Sequence, residues 1–337
     1  MTDRLSHIRL EHGSGGALSR ELVEQVIHPL FRGDSYPELS DASPVEIGSA
    51  FLMTTDGYVV DPPFFPGGDI GRLSVLGTCN DLAVCGAKPV SVSLALILEE
   101  GFAISDLRRV LESAAGAARE ANARVVTGDT KVVPAGKGGG VFVTTAGVGR
   151  RVCSSILSPS RIREGDRVIV SAPVGAHGLT VLAARESLPV AGSLKSDMAF
   201  LYPLVSRLFH LADALRFMRD ATRGGVAAVL NEAVHGGGFG LEVEEEAFPV
   251  SEEVRAVSNL LGLNPLEVAN EGVFVAIVAR EAEINALEAL HGHPLGKSAR
   301  CVGHVTAANP GSVEMITRIG GRRRLDLPRG LLLPRIC

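Results

Sequence analysis

The sequence predicts a protein of interleaved helices and strands in two domains, and three observations carry the prediction. At 337 residues the chain is long enough for two cores of ordinary size. Hydrophobic residues make up 46% and charged residues 21%, the balance of a globular protein with a large interior. The alternation of apolar runs and turns breaks once, near 150–165, where Arg151, Pro159 and the turn Glu164-Gly165-Asp166 interrupt it. The expected layout is a glycine-containing lead-in over 1–40, a first domain over 41–150, a second over 160–320 and a tail over 325–337.

In the first half, His12-Gly13-Ser14-Gly15-Gly16 precedes an amphipathic stretch, Leu18 to Phe31, that reads as a helix. Glycines before a helix N-terminus let the backbone approach an anion, and they serve equally as a flexible lead-in. Phe51 to Thr55 reads as a strand ending at the turn Asp56-Gly57. Ile70 to Cys85 reads as a helix with small residues on one face; it contains Asn80-Asp81, and a buried-looking helix with an Asp in it asks for a partner. Pro89 to Leu98 is a continuous apolar run, hence a buried strand. Ser105-Asp106 is placed to cap a helix from Leu107 to Asn122. The strand Arg124 to Thr127 is followed by Gly128-Asp129-Thr130-Lys131, then a Gly138–Gly140 turn and a strand from Val141 to Val148.

The second half repeats this βαβ-like grammar without obvious sequence identity to the first. Arg167 to Ser171 is a strand, Gly175-Ala176-His177-Gly178 opens a helix Leu179 to Glu186, with His177 as a loop or capping residue, and a longer helix spans Met198 to Ala214. Asp220 and Thr222 are good N-terminal residues for the helix Val226 to Val234, and Gly224-Gly225 permit close backbone approach. Ser251 caps a helix to Leu261, Asn270-Glu271-Gly272 precedes the apolar strand Val273 to Val278, and Glu281 to Leu290 is helical. Cys301 to Val305 and Val313 to Thr317 are strands. Gly296-Lys297-Ser298 resembles the end of a phosphate-binding P-loop. That motif needs a glycine at 291, where the chain has His, and it follows a strand rather than a helix.

Composition narrows the function. A net charge of −5 gives no electrostatic case for nucleic acid or an anionic membrane, and 4% aromatics leave few platforms for base stacking. Cysteines stand at 79, 85, 153, 301 and 337, with no CxxC and no zinc-like spacing, which suits reduced thiols in a cytoplasmic protein. The first residues carry no secretory signal pattern and no apolar run reaches a membrane span. Asp56, Asp81 and Asp129 fall at expected element ends, with Asp41 a fourth acid nearby. Carboxylates so placed suit Mg²⁺, which is held by one or two of them together with phosphate oxygens. From Leu327 the chain reads LPRGLLLPRIC, and its prolines disfavour helix and central strand. An extended chain gains about 3.3 Å per residue, so about ten residues would carry the terminal thiol of Cys337 roughly 30 Å.

These motifs occur in one order: His-Gly-Ser-Gly-Gly, Thr-Thr-Asp-Gly, Cys-Asn-Asp, Thr-Gly-Asp-Thr-Lys, Asp-Ala-Thr-Arg-Gly-Gly, Asn-Glu-Gly and the terminal Pro-Arg-Ile-Cys. The set resembles the HypE carbamoyl dehydratase family of [NiFe]-hydrogenase maturation. That family belongs to the superfamily of aminoimidazole ribonucleotide synthetase and selenophosphate synthetase. The resemblance covers essentially the whole chain. It implies an α+β fold with an N-terminal α+β domain that dimerises as a barrel and binds ATP at the cleft, a C-terminal α/β domain, and a mobile tail. It implies Mg²⁺–ATP at Asp56, Asp81 and Asp129, with Asp41 a weaker match because Asp-Ala-Ser replaces the commoner acidic pair. His12, Gly13, Gly15 and Gly16 match the segment that closes over the phosphates, and Gly224 and Gly225 the phosphate-side glycines of the second domain. Lys131 and Glu271 match the polar pair that receives the modified Cys337. The implied activity is ATP-dependent dehydration of a carbamoyl group on Cys337 to a thiocyanate, with Glu271 as base. The implied partners are a carbamoyltransferase that loads Cys337, an iron-holding scaffold that accepts the cyano group, and a second copy of the chain. A small-molecule synthetase of the same superfamily and a non-catalytic adaptor with a docking tail are the competing classes.

Overall fold

A computed structural model describes residues 16–22, 24, 43–44, 50–188 and 194–327. His12, Gly13, Gly15, Asp41 and Cys337 lie outside the described residues. The first part comprises α1 (Gly16–Leu22), β1 (Ser43–Pro44), β2 (Phe51–Tyr58), the hairpin β3 (Phe64–Phe65) and β4 (Gly68–Asp69), α2 (Ile70–Val84), β5 (Ala87–Glu99), α3 (Ile104–Glu120), β6 (Arg124–Val133) and β7 (Val141–Arg151). Its sheet runs β1-β2-β7-β5-β6. β5 and β6 pair in parallel through the α3 crossover, and β2, β7 and β5 pair antiparallel.

α2 forms because its sequence is apolar or small nearly all round, the pattern of a helix buried on every side. Thirteen of its fifteen residues are buried. Its N-terminus is closed by Asp69, whose Oδ1 accepts from the Gly71 and Arg72 N–H groups at 2.8 and 3.1 Å. The other Asp69 oxygen accepts from Ser113 Oγ of α3 at 2.6 Å. Gly71 lets α3 come close, since a Cβ there would stand 2.0 Å from the carbonyl oxygen of Val110.

The second part comprises β8 (Arg167–Val170), α4 (Ala176–Arg185), α5 (Tyr202–Val205), β9 (Leu215–Asp220), α6 (Gly225–Val234), β10 (Gly240–Glu244), α7 (Glu252–Leu261), β11 (Phe274–Val278), α8 (Glu283–His291), β12 (Arg300–Thr306), β13 (Val313–Ile316) and β14 (Arg322–Arg324). Its sheet runs β14-β13-β10-β12-β8-β11-β9 and is antiparallel except where β10 meets β13. Every residue of β11 is buried, because helices and loops cover both faces. One core gathers under α6 and another under α5 and α8.

Several boundaries differ from expectation. β2 runs through Asp56-Gly57 to Tyr58, and β6 runs through Gly128-Asp129-Thr130-Lys131 to Val133, so those turn-like sequences sit inside ladders. Ser105 and Asp106 do not cap α3. The helix starts at Ile104 with Ala103 at its N-cap, and Asp106 pairs with Arg109 within the first turns. The expected helix from Met198 to Ala214 is an extended run to Leu201, the short α5, and a 3₁₀ segment over Ser206–Ala214 broken at Ala212. Ser251 does cap α7, accepting from Val254 N at 3.2 Å. The P-loop look-alike ends a 3₁₀ turn, Pro294–Gly296, as its missing glycine requires.

Gly71→Ala places a methyl against the α3 backbone, so urea unfolding of the variant is expected to show a loss of about 1–3 kcal/mol, the range for over-packing a rigid contact.

Candidate active site

The site is assembled where the C-terminal turns of α2 meet β2 on one side and the second domain on the other. Burial along β2 alternates, placing Leu52, Thr54, Asp56 and Tyr58 on the inner face. Thr54 Oγ1 donates to Asp81 Oδ2 of α2 at 2.9 Å, the partner that a carboxylate on this buried helix needs. Asp56 follows two residues along the same face, half-buried, its Oδ1 accepting from Gly57 N at 2.9 Å. Below them Tyr58 Oη lies 3.3 Å from Thr78 Oγ1, which in turn meets Thr145 Oγ1 on β7. Burial holds the Tyr58 phenol well above its ordinary pKa, and the charges of Asp56, Asp81 and Glu271 add to the effect.

Asn80 turns the other way. Its side-chain NH₂ donates to the carbonyls of Ala199 at 2.9 Å and Glu271 at 3.4 Å, and its Oδ1 accepts from Leu201 N at 2.8 Å. The 270–272 segment is further fixed by Asn270, which accepts from Gly175 N at 2.6 Å and donates to the Ala221 and Val268 carbonyls. Glu271 is 5% exposed. Burial pushes its carboxyl well above the usual range, helped by the negative charges of Asp220, Asp197 and Asp56 and opposed by Arg223.

Within one chain Asp129 and Lys131 stand apart from this cluster. Lys131 Nζ pairs with Asp129 Oδ2 at 2.6 Å, and both side chains are mostly exposed, at 69% and 61%. That pairing and the Thr130 N–H hold the Asp129 carboxyl below its usual range. Three strand steps separate β6 from β2, so Asp129 is about 14 Å across the sheet from Asp56. Gly128 is required by close approach, since a Cβ there would meet the Leu94 carbonyl at 2.2 Å.

Asp220 ends β9 and Thr222 sits in a turn. Neither caps α6, whose N-cap is Gly224 at φ 78°. Gly225, at φ 61°, has its missing Cβ filled by the carbonyls of Leu266 and Val268, 2.5 Å from where it would stand. Gly16 begins α1, whose residues border α6 and residues 324–327. His177 lies in the first turn of α4 rather than in a loop, and its ring is fully buried. Its Nδ1 is 2.7 Å from Ser196 Oγ, Phe65 meets the ring edge-on at 5.3 Å, and Nε2 has no partner among the described residues. Burial holds the imidazole down to about 3. Cys79 and Cys153 are buried and Cys85 and Cys301 half-buried. Burial pushes the Cys79 thiol up to about 12, as suits a core residue.

Asp56 and Asp81 both act on Tyr58 from β2 and α2, a carboxylate pair that fits a Mg²⁺ ion whose remaining ligands are phosphate oxygens and water. Among the described residues no three His, Cys, Asp or Glu side chains are placed to hold a metal ion together. Asn80, Asp197, Asn270 and Tyr58 are the polar residues of the site for which sequence reasoning named no partner. Asn80, an amide inside an apolar helix, and Asn270, in the Asn-Glu-Gly motif, carried a signal.

Residues 39–151 match the family model of the AIR synthase related protein N-terminal domain, and residues 163–316 that of the C-terminal domain. The carbamoyl dehydratase HypE of Rhizobium leguminosarum bv. viciae is 46% identical over 332 residues, covering 98% of this chain and 95% of that protein.

The chain belongs to the HypE carbamoyl dehydratase family.

A crystal structure of a HypE–HypF complex superposes with a TM-score of 0.86 at 39% identity, covering 91% of this chain and 99% of the other. A crystal structure of HypE in complex with ATP superposes with a TM-score of 0.82 at 40% identity, covering 98% and 100%. The family is one of enzymes, and its two-domain architecture is the one described above. Among the described residues no helix is long and apolar enough to cross a membrane.

The buried imidazole fixes a pH dependence. His177 binds a proton in the unfolded chain below about 6.5 but not in the folded one until about 3, so stability is full above 6.5 and falls as pH falls. At pH 5 the cost is about 2 kcal/mol. Urea unfolding at the two pH values should show that His177→Asn loses less stability on acidification than the parent chain by about that amount.

Proposed function

We propose that this chain dehydrates a carbamoyl group carried on Cys337, with ATP as co-substrate, to give a thiocyanate whose cyano group supplies the iron centre of a [NiFe]-hydrogenase. The observation that carries the reading is the gathering of Asp56, Asp81 and the buried Glu271 about Tyr58, with Asn80 of α2 bonded to the Glu271 carbonyl. Family membership supports the reaction class. A carbamoyl thioester, S–C(=O)–NH₂, becomes S–C≡N by losing its oxygen and both nitrogen protons. The carbonyl oxygen attacks the γ-phosphorus of ATP as ADP departs. The nitrogen then gives up its protons, and the C–O bond breaks to release phosphate. ATP thus takes up the elements of water as ADP and phosphate.

Each residue has a part in this chemistry. Asp56 and Asp81 would hold Mg²⁺, which supplies charge compensation for the phosphoryl group. Glu271 takes a nitrogen proton; a carboxyl held high by burial and three neighbouring acids is a strong base once ionised. Lys131 orients the carboxamide. The glycine-rich segment His12 to Gly16 and Gly224-Gly225 pack about the phosphates, and the tail alternates between an inward and an outward position.

β6, which carries Lys131 and Asp129, lies three strand steps from the β2 strand of Asp56 in one chain, so the reading includes a dimer. In it β6 of one copy completes the cleft of the other. Nine of the ten β6 residues are exposed, Val125, Val126 and Val132 among them, an apolar edge that a second sheet would cover. A carbamoyltransferase that loads Cys337 and an iron-holding scaffold that takes the cyano group complete the set of partners.

The test is mass spectrometry of the tail peptide after Cys337 is carbamoylated, by the loading partner or by cyanate, and Mg²⁺–ATP is added. Loss of one water from the carbamoyl group, dependent on ATP, is expected. A carbamoyl group that persists while ATP is consumed would point instead to a small-molecule synthetase, and no ATP consumption to an adaptor. Glu271→Gln should lower the dehydration rate about 10²–10⁴-fold while ATP still binds. Val126→Arg should sediment as a monomer and lose turnover, because each cleft then lacks its second copy.

A further inference from the structure

Beside Glu271 the fold places a carboxyl that the chemistry above leaves unused. Asp197 lies in the extended segment before α5 and is joined to residues 271–272 at two points. Its Oδ1 accepts the Glu271 N–H at 2.9 Å. Its carbonyl oxygen fills the space over Gly272, where a Cβ would stand 1.9 Å away. Two residues on, Ala199 N donates to the Glu271 carbonyl at 3.3 Å, and Asn80 bridges the carbonyls of both. Residues 197–199 and 271–272 therefore form one clasp with Glu271 held inside it.

The other Asp197 oxygen, Oδ2, is buried and has no hydrogen-bond partner among the described residues. An unsatisfied buried acceptor is costly, and more so when charged. An asparagine would offer the same acceptor to the Glu271 N–H without a charge. A residue needed only for that bond gains nothing from a carboxyl, whereas a residue that carries a proton needs one. The charge of Asp197 acts on Glu271, as do those of Asp220 and Asp56, with Arg223 opposing all three. Burial pushes Asp197 itself up to about 7.

We propose that Asp197 is the positioning residue of Glu271, fixing it through its backbone N–H and titrating with it as one carboxyl pair that stores the proton taken from the carboxamide nitrogen. The proposal rests on Glu271 being the base. The proton moves from nitrogen to Glu271 and is held by the pair until solvent removes it, so no oxidant or further reactant is involved. Two interacting carboxyls lose their protons in two steps that belong to the pair.

The experiment is the pH profile of Cys337 dehydration by the full chain, for the parent, Asp197→Asn and Glu271→Gln. Asp197→Asn keeps the acceptor for the Glu271 N–H but removes the charge. Its acid limb is expected to move down by about one pH unit with the KM for ATP unchanged, since a like charge is gone. An unmoved limb in a folded Asp197→Asn enzyme, beside an inactive Glu271→Gln, overturns this proposal alone. A fully active Glu271→Gln enzyme overturns the reading of Glu271 as base and this proposal with it. Should Asp197→Asn not fold, the infrared band of protonated carboxyls in the parent chain and in Glu271→Gln decides. Two buried carboxyls titrating in the parent and one near neutral pH in Glu271→Gln support the pair. No buried carboxyl titrating near neutral pH in Glu271→Gln overturns it.

Discussion

The structure depends on one amide. Asn80 is a polar side chain at 1% exposure inside an otherwise apolar helix, and burying an amide without partners costs several kcal/mol. It meets that cost with three bonds, all to the backbone of the second domain, at residues 199, 201 and 271. The position of the second domain against the first is thereby tied to the rotation of α2. Successive helix residues point about 100° apart, so once Asn80 faces the second domain Asp81 is turned toward β2. Thr54 receives it there, and Asp56 stands beside it on the same strand face. The carboxylates of the site follow from how the domains are joined.

That arrangement concentrates negative charge. Asp56, Asp81, Asp197, Asp220 and Glu271 act on one another or on Tyr58 across a few side-chain lengths, and Arg223 is the cation that opposes them at Glu271. Two like charges about 4 Å apart at a partly buried site repel by about 4 kcal/mol. Burial counters this by pushing the Glu271 and Asp197 carboxyls up, so that each gives up its proton less readily than a free acid. Self-repulsion of this kind works against stability and is retained where a site needs it. Under the proposed reading the need is a divalent cation with its phosphates, which takes over the role of those protons.

Much of the fold was legible because apolar runs and helix periodicity mark elements whatever their surroundings. α2, β5, β7, α7 and β11 lie close to where their residues put them. The boundaries that moved were set by tertiary contacts. Asp56-Gly57 and Gly128-Asp129 have turn chemistry, yet eight ladder positions on β7 and nine on β5 hold β2 and β6 extended through them. The helical pattern from Met198 was overridden because Asn80 and Glu271 take up the backbone of 199–201 in extended form. β14 is three arginines, without an apolar signal, and forms because Glu314 and Glu242 receive Arg322 across the sheet. At the site, Asp81 was legible as an acid that needed a partner. Asp197 was not, since its meaning comes from a glycine seventy-five residues away that leaves room for its backbone.

The two sides of the first sheet differ in a way that bears on the whole mechanism. β2 hides every second residue beneath α2, whereas β6 hides almost none. The acids under α2 are held by hydrogen bonds and burial, whereas Asp129 and Lys131 pair with each other in solvent, with only the adjacent Thr130 N–H added at Asp129. An exposed pair of this kind contributes little to stability, at most about 1 kcal/mol. Its placement on an open, valine-bearing edge strand is therefore poorly explained by the needs of a single chain. The proposed cleft shared between two copies would account for both features at once, covering the edge and carrying the lysine to the glutamate of the second copy.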